Sequence, residues 1–110
     1  MRYQVLEYQT RTGTIPFRAW LLGLKDATTK ARLLARIDRA AHGNFGDWKA
    51  LAGAKGLFEM RDHAGSGYRI FFTVVRGQII LLLAGSDKKN QERTIAQAQK
   101  YLADYRERTS

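Results

Sequence analysis

The side chains best placed to do chemistry fall in two short stretches. Glu59, Arg61 and His63 occupy alternate positions, Arg69 and Phe71 repeat that spacing a few residues on, and the doublet Lys88-Lys89 comes later. Alternate residues of an extended strand point to the same side. A strand through 57–63 therefore sets Glu59, Arg61 and His63 on one face, with Phe58 and Met60 on the other. A second strand through 68–75 sets Arg69, Phe71 and Thr73 opposite Tyr68, Ile70, Phe72 and Val74. If the apolar sets share the core, Arg61 and Arg69 become neighbours on the far face. Two adjacent guanidiniums repel unless an anion joins them. That anion is either Glu59, in an ion pair of the common surface kind, or a phosphate supplied by a ligand. Lys88 and Lys89 would close a cationic concavity at a strand end, where the free N–H groups of a following helix also favour phosphate.

Other residues offer a role and a plain alternative. His63 could accept a proton, or be a surface histidine near a turn. His42 fits a helix C-terminus. Phe71 shares the Arg69 face and is the aromatic placed to stack on a base. Arg32, Arg36 and Arg39 recur at helical spacing and could grip an RNA backbone or an acidic partner, or simply be solvated. Gly53-Ala54-Lys55-Gly56 has no strand feeding a helix, so it is not a phosphate loop. Acids are scattered, histidines number two and cysteine is absent, so neither a metal nor another cofactor is expected.

These groups belong to a chain of 110 residues with 19 Lys+Arg against 10 Asp+Glu, a formal charge of +9. Ten of the basic residues precede Leu57 and nine follow it, so the potential comes from the whole body and not from a tail. Hydrophobic residues make up 45% of the sequence, enough for a core. Polyanions are the natural partners. The longest apolar run, Ile79 to Ala84, is too short for a membrane span, and a cytoplasmic location is expected.

The elements that must hold these residues read in order. Tyr3 to Tyr8 is a strand. Thr14 and Pro16 open a helix carrying Phe17, Trp20, Leu21 and Leu24. A second helix starts near Ala27 or Thr28, with Leu33, Leu34, Ile37, Ala40 and Ala41 inward and the arginine stripe outward, and ends at Gly43. Residues 44–56 read as a loop pinned by Trp48 and Leu51. A meander follows, with a turn at Ala64 to Gly67 and another at Arg76-Gly77-Gln78. A last helix from about Asn90 docks through Ile95, Ala98, Leu102 and Tyr105. The result is one domain over 1–110, α+β, in the order β-α-α-β-β-β-α, with a helical layer on the apolar face of a largely antiparallel sheet. The polar phase of the hairpin should face away from that layer.

Gly56-Leu57-Phe58-Glu59-Met60-Arg61, Gly67-Tyr68-Arg69-Ile70-Phe71-Phe72 and Leu82 through Gln91, with the helix reaching Asp104-Tyr105, together resemble the RelE/ParE superfamily of toxins. The likeness is to the HigB-like, phage-derived addiction-module branch, over essentially the whole chain. It implies a type II toxin that cleaves mRNA in the ribosomal A site and is neutralised by a cognate antitoxin, here of helix-turn-helix type. The implied reaction uses no metal: the RNA 2′-OH attacks the adjacent phosphorus, leaving a 2′,3′-cyclic phosphate and a 5′-OH. Arg69 matches the family's phosphate-binding arginine, Arg61 a basic strand position, and Lys88 or Lys89 the residue assisting the leaving group. Glu59 stands where RelE has a strand lysine, and Thr94-Ile95 where RelE has a catalytic tyrosine. The general base is therefore open among a lysine, Glu59 and His63. Two other readings are a ParE-like gyrase inhibitor without catalysis and a plain nucleic-acid-binding module.

Overall fold

The computed structural model describes residues 2–63 and 67–110. Its elements are β1 (Gln4–Glu7), α1 (Pro16–Gly23), α2 (Ala27–Ala41), β2 (Trp48–Ala50), β3 (Phe58–Asp62), β4 (Tyr68–Val75), β5 (Ile79–Ser86) and α3 (Gln91–Thr109). They form a small α+β domain whose sheet runs β1-β5-β4-β3-β2, with β1 parallel to β5 and the other pairs antiparallel. The order is as expected with one strand added: β2, an exposed edge strand, lies inside the segment read as a loop. Of the turn expected at Ala64 to Gly67, residues 64–66 lie outside the described residues.

Local chemistry sets the boundaries. Pro16 opens α1, but the cap position is Ile15, without a side-chain cap, and not Thr14. Asp26 caps α2, accepting from Thr28 N at 3.1 Å and Thr29 Oγ1 at 2.8 Å. Arg76 and Gly77 both take positive φ, 55° and 67°, between β4 and β5, which suits the tight hairpin there.

Both faces of the sheet are covered. On one, Phe17 and Leu21 of α1 and Leu33, Ile37 and Ala40 of α2 pack on Met60, Ile70, Phe72, Ile80 and Leu82. On the other, Ala98 and Leu102 of α3 pack with Leu57, Phe71, Leu81, Leu83 and Ala84. The hairpin's second face is thus not the open surface its polar residues led us to expect. α3 covers one half of it, and the half carrying Arg61 and Arg69 keeps more contact with solvent. Phe71 lies in the covered half, wholly buried, so it is a core residue and not a stacking platform.

α2 is rotated from the expected setting. Its inward residues are Thr29, Leu33, Arg36, Ile37 and Ala40, while Leu34 is exposed. Arg36 goes inward because its Nη2 finds two backbone carbonyls, Asp47 O at 2.9 Å and Arg61 O at 3.2 Å. Desolvation lowers its pKa below the ordinary arginine value. Gly46, at φ +59°, leaves room for that guanidinium, which a Cβ there would strike at 1.9 Å.

Candidate anion-binding site

Register builds the site. Arg61 on β3 is paired with Arg69 on β4, and Arg69 with Ser86 on β5, so three polar residues line up across the sheet. Glu59 sits one pleat inward, beside Phe71 and at the rim of the α3 core. It is fully buried, and such a charge must be compensated. Its Oε2 accepts from Arg61 Nε at 2.6 Å and from Arg69 Nη1 at 3.3 Å, and its Oε1 from Gln91 Nε2 at 3.4 Å. The first of these bonds raises the Arg61 pKa above its ordinary value. One carboxylate against two guanidiniums leaves a net positive charge at the row.

Two buried atoms here have no hydrogen-bond partner among the described residues: Arg69 Nε and Ser86 Oγ. Native interiors rarely leave such groups unmatched. The Arg61 side chain is 28% exposed and that of Arg69 12%, so the pair is presented from below with the guanidiniums fixed. What this arrangement can do chemically is hold an oxyanion, since its donors are set before any ligand arrives. Glu59 has no exposure and its oxygens take three donors, so its placement suits bracing and not proton transfer.

The other residues singled out above are distributed around this row. Lys88 follows β5, and its stem runs beside Gly67: a Cβ on Gly67 would lie 3.5 Å from Lys88 Cβ. Lys89 is exposed. His63 lies just past β3 and bonds through Nε2 to Asp47 Oδ2 at 2.5 Å, which draws it toward the β2 side and holds the Asp47 carboxyl below its usual range. Arg32 pairs with Asp62 at 2.7 Å. Arg39 is exposed, whereas Arg36 is buried, so the three helix arginines do not make one solvated stripe. Among the described residues no group of three or more His, Cys, Asp or Glu is placed to hold a metal ion. No helix among them is long and apolar enough to cross a membrane.

Sequence reasoning gave no role to Ser86 or Gln91. The signal for both was the strand-to-helix junction: β5 continues two residues past its apolar run, and α3 begins at Gln91, so the first helical turn returns over the sheet.

Fold and row together define a class, a small basic α+β domain presenting paired arginines at one end of a sheet. Residues 19–107 match the family described as phage derived protein Gp49-like, and the chain belongs to that family, which is of the RelE/HigB-like toxin type. It is also similar to a protein of Haemophilus influenzae described as an uncharacterized protein, with 42% identity over 85 residues, spanning 77% of this chain and 84% of that one.

Proposed function

We propose that the chain is the toxin of a type II toxin–antitoxin pair, in the HigB-like branch, and that it cleaves mRNA on the ribosome without a metal. The observation that carries this reading is the Arg61–Arg69 pair braced by Glu59, with net positive charge left over. Family membership sets the context.

The chemistry follows from what these groups offer. A phosphodiester seated on Arg61 and Arg69 gains negative charge when the ribose 2′-oxygen attacks phosphorus, and fixed guanidiniums favour that state over the ground state. The new P–O2′ bond forms as the P–O5′ bond breaks. The 2′-OH proton passes to a base, and the departing 5′-oxygen takes a proton from an acid. Lys88, whose stem flanks Gly67 near Arg69, is the acid in this account. The base is His63, two residues beyond Arg61 with an exposed ring, which must leave its bond to Asp47 to reach the 2′-OH. Lys89 and the exposed Arg39 contact RNA backbone. An antitoxin, expected to be a small helix-turn-helix protein, silences the toxin by covering its cationic surface.

Sequencing transcript ends after brief induction tests the reading. Codon-positioned cuts with 2′,3′-cyclic phosphate and 5′-OH termini are expected. Growth arrest with intact transcripts and a DNA-damage response would overturn it in favour of gyrase inhibition.

A further inference from the structure

A groove of about 490 Å³ opens between α1 and α3, beside the arginine row. It exists because β1 pairs with β5 only over Ile79 to Leu82, which leaves the end of β5 without a strand partner on that side among the described residues. Trp20 forms one wall. Its indole presses on Gly85, where a Cβ would lie 2.1 Å from the ring, and its edge meets Tyr68 at 6.0 Å between centroids. Gln97 and Tyr101 of α3 line the other wall. The Tyr101 ring is fixed by stacking on Tyr8 at 5.1 Å, while its hydroxyl and the Gln97 amide make no hydrogen bond among the described residues. At the rim, Asn90 Oδ1 accepts from Arg93 Nη2 at 2.8 Å and Asn90 Nδ2 donates to Asp87 Oδ1 at 2.9 Å, so one acid and one base offset each other.

Ser86 joins this groove to the arginine row. It lines the groove, is paired in register with Arg69, and carries a buried hydroxyl with no partner. From this continuity we infer that the groove is a nucleobase pocket, receiving the base of a nucleotide adjoining the phosphate held by Arg61 and Arg69. The inference rests on the RNA-cleaving reading above. A locally neutral site does not compete for phosphate, an indole supplies a stacking surface, and unengaged amide and hydroxyl groups can read a base edge. The volume is that of an ordinary small-ligand site. Gln97 and Tyr101 are the specificity-determining residues on this account, and Ser86 bonds the intervening ribose or phosphate.

Fluorescence anisotropy of the full chain with short labelled RNAs, scanned with one abasic position at a time, provides the test. One position should lose about tenfold in affinity when its base is removed, the size expected for a stacked base. Gln97→Ala and Tyr101→Phe should flatten the preference among the four bases at that position and leave the melting temperature near that of the parent. Arg69→Ala should instead weaken every RNA alike, abasic or not. No costly abasic position, or a base preference that survives both groove variants, overturns the pocket while Arg69 dependence still stands. Equal binding by Arg69→Ala and parent overturns the phosphate seat itself.

Discussion

Glu59 is the residue on which the site turns. Removing its charge strands two guanidiniums around a buried amide, and breaking a buried pair from one side costs about 3–5 kcal/mol. Glu59→Gln should therefore lower stability by roughly that amount in urea unfolding, and Arg61→Gln added to it should restore a part, because the remaining arginine then has less repulsion to bear. Gly85 makes a second residue-scale prediction. Gly85→Ala drives a methyl into the Trp20 indole, and overpacking of this kind costs about 1–3 kcal/mol. Strand phase in the sequence located Arg61 and Arg69 correctly as neighbours, because period two is read directly from residue types. It could not tell that the Phe71 end of the same face is covered, since that depends on where a helix some twenty residues later lands.

At the scale of elements, α2 shows why helical periodicity misplaced an arginine. A cationic stripe reads as solvent-facing, yet Arg36 reaches two carbonyls at the β2–β3 end of the sheet, and hydrogen-bond accounting outweighs hydropathy. Arg36→Met should cost about 1–3 kcal/mol by leaving buried carbonyls unmatched, whereas Arg39→Ala, exposed on the same helix, should be close to neutral. Thermal melts of the two variants separate these outcomes. β2 went unread because three exposed residues carry no alternation long enough to register. The β4–β5 hairpin was legible from Arg76-Gly77, and it holds an arginine at φ 55° where asparagine is at less disadvantage. Arg76→Asn should stabilise by a few tenths of a kcal/mol, about what relief of this strain provides.

Over the whole molecule, the two ends of the chain are tied by one carboxylate. Asp104 on α3 accepts from Tyr8 Oη at 2.6 Å and Arg11 Nε at 2.8 Å, and forms an ion pair with Arg108 Nη2 at 2.8 Å. The Tyr8 hydroxyl first, then Arg11, hold its carboxyl below the usual carboxylate range. A depressed folded pKa means stability that is present above the unfolded value and lost as pH falls through the folded one. The parent should thus exceed Asp104→Asn in melting temperature near neutrality, with the gap closing in acid. The charge of +9 is spread over this body, yet only cations that meet phosphate enter the salt dependence of RNA binding. Arg69→Ala should reduce that slope by about one unit.

Arg69, on this reading, carries the phosphate chemistry and not the fold. The most direct measurement is growth and transcript cleavage on induction of Arg69→Ala, alongside its circular dichroism and its capture by the antitoxin. A folded, antitoxin-binding protein that neither arrests growth nor cuts mRNA is expected. Arrest with the parent's cleavage pattern would contradict it.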